Sequence, residues 1–132
     1  MIVVDASALA AFILKEEGWR DLASYLVYCI SLEHIVKEVT NAIWKASHLR
    51  GIITIQEAKK ALELLKRMIN KNIFLLPELN YLDLAFDISM KHGLTIYDSL
   101  YIALAISERK PLFTLDDEQR KVAERLGLEL KP

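Results

Sequence analysis

The sequence predicts an α/β fold, with a central parallel sheet of four to five strands covered on both faces by helices. Three observations carry that expectation. Short runs such as residues 1–4 and 73–76 are apolar throughout and do not alternate, as strands buried on both faces require. Longer stretches between them place apolar residues at helical spacing. The composition, 53 % hydrophobic with four glycines and three prolines in 132 residues, suits one packed, helix-rich domain spanning residues 1–132.

Each element has its own local reason. Residues 1–4 form the first strand, ended by Asp5-Ala6-Ser7, and residues 8–14 begin a helix that Gly18 interrupts. Residues 19–26 are helical, and 27–31 supply a second strand. A long helix runs from Glu33 to His48, stopped by Gly51. Its apolar stripe is Ile35, Val36, Val39, Ala42, Ile43 and Ala46. The opposite face, His34, Glu38, Asn41, Lys45 and His48, is expected to be solvated. In the next helix, 54–71, Thr54 and Glu57 form a capping box, and Ala58, Ala61, Leu62, Leu65 and Ile69 form the buried face. Residues 73–76 make a third strand, closed by Pro77. Residues 80–92 form a helix ending at Gly93, in which Tyr81, Leu82, Phe86 and Met90 have the spacing of core residues, with a partner surface as the alternative. Thr95 and Asp98 open a helix that continues to Glu108. After Pro111 come a strand at 112–114, a helix at 117–126 and a short edge strand at 128–130.

Composition removes several function classes. The single cysteine, Cys29, cannot form an internal disulfide and sits in an apolar run, where a buried core thiol is expected. Asp5 interrupts the apolar start, so neither a secretory signal nor a membrane span is expected, and a cytoplasmic location follows. The net charge of −1 neither supports nor excludes a phosphate-bearing substrate, because a local cluster of acids lowers the sum without removing basic residues around it.

The acids carry the chemistry. In open α/β sheets ligands bind outside the carboxyl ends of the strands, where Asp5 and Asp116 fall. Asp98 lies in the first turn of its helix, where the helix dipole favours a carboxylate, and Glu38 lies one turn into the long helix. Each has a plain explanation alone: Asp5 as an N-cap, Asp98 as partner of Thr95, Asp116 and Asp117 as first-turn acids, Glu38 as part of a wet face. Together they repel. Two unit charges ~4 Å apart cost roughly 4 kcal/mol at an effective dielectric of about 20. Such a group shares protons or binds a cation, and oxygen ligands without a companion Cys or paired His match Mg²⁺ or Mn²⁺.

At these same residues the chain resembles the PIN domain family, specifically its VapC-type toxin ribonucleases. Four segments carry the resemblance: Val3-Val4-Asp5-Ala6-Ser7-Ala8-Leu9, Glu38-Val39-Thr40-Asn41-Ala42, Gly93 through Ala105 around Tyr97-Asp98-Ser99-Leu100-Tyr101, and Leu112-Phe113-Thr114-Leu115-Asp116. The stretch Ser31-Leu32-Glu33 departs from the family, which often has a proline there, and the Asp116-Asp117 doublet leaves the fourth acid open, with Asp116 favoured by its spacing from Thr114. The resemblance implies a PIN-like three-layer fold and an Mg²⁺- or Mn²⁺-dependent endoribonuclease with Asp5, Glu38, Asp98 and Asp116 as catalytic and metal-binding residues. It also implies a homodimer and a cognate VapB-type antitoxin whose C-terminal segment covers the acidic pocket. Ser7 and Thr114 are candidates for hydrogen bonds to the carboxylates. Asn41 and Lys45 are candidates for RNA contacts.

Three other readings fit less well. A metal-free ribonuclease needs two imidazoles at one phosphate, but His34 and His48 stand roughly 20 Å apart by helical rise, and His92 suits a C-terminal cap. A phospho-acceptor domain wants adjacent acids after the first strand, where Ala6 follows Asp5. A PIN-like RNA-processing nuclease without an antitoxin, or a module that binds without cutting, remains the alternative.

Overall fold

A computed structural model describes all 132 residues. In chain order the elements are β1 (Ile2–Val4), α1 (Ala6–Ile13), α2 (Trp19–Leu22), β2 (Cys29–Leu32), α3 (His34–Trp44), α4 (Ile55–Met68), β3 (Ile73–Leu76), α5 (Leu82–His92), α6 (Ile96–Glu108), β4 (Leu112–Phe113), α7 (Asp117–Arg125) and β5 (Leu130–Lys131). The five strands form one parallel sheet in the order β3-β2-β1-β4-β5.

That order places the site. The chain steps from β1 to β2 to β3 in one direction, then returns past β1 to β4 and β5. With right-handed crossovers, the reversal sends α1 to α4 to one face and α5 to α7 to the other. The contacts agree: α1, α3 and α4 pack together, whereas α6 packs on β1, β2, β4, α5 and α7. β1 and β4 are neighbours that leave the sheet toward opposite faces, which opens a crevice beyond their carboxyl ends. Val3, Val4, Leu112 and Phe113 are fully buried there, and one cluster of 33 buried apolar residues runs through both layers, so the crevice floor is rigid core.

Several local details depart from the sequence reading. β2 starts at Cys29, not at residue 27; Val27 and Tyr28 are exposed, and the Val27 carbonyl accepts from the Asn72 side-chain amide instead of from a strand. The long third helix is α-helical only to Trp44; Lys45–Leu49 is a π turn, in which the Arg50 N–H reaches the Lys45 carbonyl five residues back. After Trp19–Leu22 and before α5 the chain winds as 3₁₀ turns, at Ala23–Leu26 and Glu78–Tyr81. β5 lies at Leu130–Lys131, slightly beyond the expected edge strand.

Burial corrects three expectations. Leu62 is exposed, and Met68 takes its place on the buried face of α4. Of the four α5-side residues, only Tyr81 is core, its hydroxyl donating to Glu108 at 2.7 Å. Leu82, Phe86 and Met90 face outward, because Ala85 and Ile88 supply the stripe against the body of the protein. His34 is not on the wet side of α3 at all; it is buried. Cys29 is buried as expected, and burial pushes its thiol up to about 12, which leaves it unreactive.

Candidate active site

Asp5 sits at the junction of β1 and α1 and is 2 % exposed. Its local role is the N-cap of α1, with Oδ1 accepting from the Ala8 N–H at 3.0 Å. Two hydroxyls complete its shell. Ser7 Oγ donates at 2.7 Å to Oδ1, and Thr114 Oγ1 donates to Oδ2. Those hydroxyls also receive N–H bonds from the next loop, Leu115 to Ser7 at 2.9 Å and Asp116 to Thr114 at 3.1 Å. The knot ties the end of β1 to the segment after β4. Despite these bonds, burial first and the charge of Asp98 last raise the Asp5 carboxyl to about 6.

Asp98, half-buried in the first turn of α6, is also raised, mainly by burial and then by the charges of Asp116 and Glu38. Asp116 caps α7 by accepting from the Gln119 N–H at 2.8 Å, and Gln119 turns its amide Nε2 to Asp98 at 3.3 Å. Asp116 is the member of the doublet whose charge acts on Asp98; Asp117 is exposed in the first turn of α7. Glu38 reaches in from α3, its Oε1 accepting from the Tyr101 hydroxyl at 2.7 Å. The structure thus places Asp5, Asp116 and Glu38 each within electrostatic reach of Asp98. None of the three aspartates pairs with a lysine or arginine; the ion pairs lie elsewhere, apart from His34 on Glu38.

Residues 2–125 match the family model described as PIN domain. The chain belongs to the PIN domain family. A PIN relative, Ribonuclease VapC3 of Pyrobaculum aerophilum, is 34 % identical over 134 residues, spanning 99 % of this chain and 98 % of that protein. Among solved structures the PIN fold here is similar to the crystal structure of PAE2754 from the same organism. That similarity has a TM-score of 0.73 at 26 % identity, covering 98 % of this chain and 82 % of the other. Family and fold are therefore as the four sequence segments implied.

The donor set of this PIN domain fits a hard divalent cation in three respects. Every acid offers oxygen, no basic side chain neutralises the aspartates, and Gln119, whose Nε2 donates to Asp98, has a buried carbonyl Oε1 without a hydrogen-bond partner. As the side chains stand, no three of the His, Cys, Asp and Glu groups are arranged to hold an ion. Hydrogen bonds account for it: Asp5 is taken up by Ser7, Ala8 and Thr114, Glu38 Oε1 by Tyr101, and Asp116 Oδ1 by the α7 N-terminus.

Sequence reasoning missed Tyr101, Gln119 and His34 as neighbours of the acids. Each carried a signal. Tyr101 lies three residues after Asp98 and Gln119 three after Asp116, while His34 lies four before Glu38, the spacings that share a helix face or a capped first turn. Asn41 and Lys45, one and two turns beyond Glu38, are exposed. His48 is also exposed and stacks on Trp44 at 5.4 Å, away from His34. No helix is long and apolar enough to cross a membrane.

Proposed function

We propose that this PIN domain is an Mg²⁺- or Mn²⁺-dependent endoribonuclease of the VapC type, working as the toxin of a toxin–antitoxin pair. One observation supports it above others: Asp5 and Asp98 are held at the β1/β4 crevice with raised proton affinity and no basic partner. The full-length similarity to a protein named Ribonuclease VapC3 supplies the substrate class.

Asp5, Asp98 and Asp116 would hold the ion, with Glu38 completing the pocket. A bound divalent cation supplies Lewis-acid stabilisation of charge at the transferring phosphoryl group. The remaining work belongs to the chain. Ser7 and Thr114 would hold the Asp5 carboxylate in place at low reorganisation cost. Gln119 holds Asp98, and Tyr101 holds Glu38. Asn41 and Lys45 extend from Glu38 along exposed α3 and its π turn, where a phosphodiester backbone would run past them. The partners proposed are RNA, a cognate VapB-type antitoxin and a second copy of the chain.

The test is cleavage of a panel of structured and single-stranded RNAs with Mg²⁺ or Mn²⁺, and again in EDTA. Asp5→Asn and Asp98→Asn should each abolish cleavage while circular dichroism stays that of the parent. Full cleavage in EDTA, or by both variants, would overturn the assignment. A neighbouring small reading frame encoding a DNA-binding protein would support the antitoxin pairing.

A further inference from the structure

The His34 ring is 7 % exposed, wedged between α3, α6 and the 3₁₀ turn Glu78–Tyr81. It lies against the Tyr101 ring at 4.7 Å between centroids and near Tyr97 at 5.9 Å. Three oxygens surround its nitrogens. Nε2 is 3.2 Å from Glu38 Oε1 and 3.2 Å from the Tyr97 carbonyl, and Nδ1 is 3.2 Å from Glu78 Oε1. A carbonyl only accepts, so Nε2 donates its N–H to Tyr97, and Glu38 Oε1 lies beside the same nitrogen as an ion-pair contact.

On the reading that Glu38 serves RNA cleavage, we infer that His34 is a positioning residue for it. Tyr101 and His34 approach the same carboxylate oxygen, Oε1, from two directions, at 2.7 and 3.2 Å. A hydroxyl hydrogen bond and an ion-pair contact on one oxygen restrict the carboxylate plane and leave the other oxygen, Oε2, free of both. With only the Tyr101 hydroxyl the carboxylate swings about a single bond. The Nδ1 contact to Glu78 and the stack on Tyr101 set the ring's own orientation, so the clamp is braced from the far side of the crevice wall. A filler residue would occupy the space between the two tyrosines without placing a nitrogen against Glu38, whose side chain is 32 % exposed.

Three substitutions separate holding from filling. His34→Phe keeps the ring volume and loses both donors. His34→Gln places an amide donor where Nε2 stands, and His34→Asn places one on the Nδ1 side, toward Glu78. With the RNA that the parent protein cleaves, His34→Phe and His34→Asn should lower kcat about 10-fold to 100-fold with KM unchanged, the usual effect of removing a group that orients a ligating side chain. His34→Gln should recover most of the loss. In a Glu38→Gln background, His34→Phe should cost nothing more. A crystal structure of His34→Phe without metal should show the Glu38 carboxylate in more than one orientation. Equal kcat for the parent and His34→Phe, or losses in all three variants that track their Tm, would overturn the inference. If His34→Phe does not fold, equal rates for the Gln and Asn variants overturn it instead. If the parent cleaves no RNA, the ribonuclease reading fails by itself, and the Glu38 orientation in the crystal still decides the clamp.

Discussion

Asp5 answers to two demands at once. As an N-cap it needs an acceptor oxygen, which either protonation state provides, and as a buried acid it resists ionisation. Its folded pKa of about 6 lies above the ordinary aspartate value, so between about pH 4 and 6 the folded chain keeps a proton that the unfolded chain has released. The stability this contributes is complete at the acid end and is lost as the pH rises through that window. The whole shift corresponds to about 3 kcal/mol. Asp5→Asn keeps the capping acceptor and lacks the titration. Urea unfolding in EDTA should therefore show parent and variant converging near pH 4 and separating toward pH 7, with the variant more stable. A parent as stable as Asp5→Asn at pH 7 would contradict this. The low-pH preference comes chiefly from burying the Asp5 carboxyl, and the sequence reading named Asp5 with the other three acids as candidates. It did not show His34, Tyr101 or Gln119 beside them. Their contacts to Glu38 and Asp98 join different elements, or, for His34, look identical in sequence to the solvated side of a helix.

At the scale of elements, the helices that bear the site are held by strong local signals, and so were legible. The α4 capping box forms as read, with Thr54 and Glu57 exchanging bonds of 3.0 Å each. Thr54→Ala should cost about 1 kcal/mol of stability. RNA cleavage per folded molecule should be unchanged, because α4 contributes no acid to the crevice; a loss of cleavage would place α4 in the site after all. Thr95 and Asp116 cap α6 and α7, so the first turns that present Asp98 and Gln119 are fixed in direction. Gly93 closes α5 at φ +70, where a side chain would be strained, and turns the chain into α6. What local pattern could not decide was the outward face of α5. Leu82, Phe86 and Met90 carry the helical spacing of core residues, yet Ala85 and Ile88 occupy the buried stripe. Two apolar stripes on one helix are indistinguishable until another element chooses between them.

For the whole molecule the deciding feature is the strand order. β1 and β4 are adjacent although more than a hundred residues separate them, and their carboxyl ends bring Asp5 to Thr114 and Asp116. An ion that binds only the folded chain would stabilise it by about 2.7 kcal/mol at a concentration about a hundredfold above its Kd. Mn²⁺ or Mg²⁺ should accordingly raise the Tm of the parent protein and leave that of Asp98→Asn unmoved; equal shifts for both would place the ion elsewhere. The sequence by itself determined the α/β class, the helix caps and the buried strands, and it nominated four acids as candidates, because each follows from periodicity, from short-range hydrogen bonding or from motifs a few residues long. Only the tertiary structure decided that His34 turns inward, that Glu38 is gripped by Tyr101, and that Asp116 of the doublet acts on Asp98. Those outcomes depend on which distant surfaces meet, and no local rule in the chain encodes the partner across the crevice.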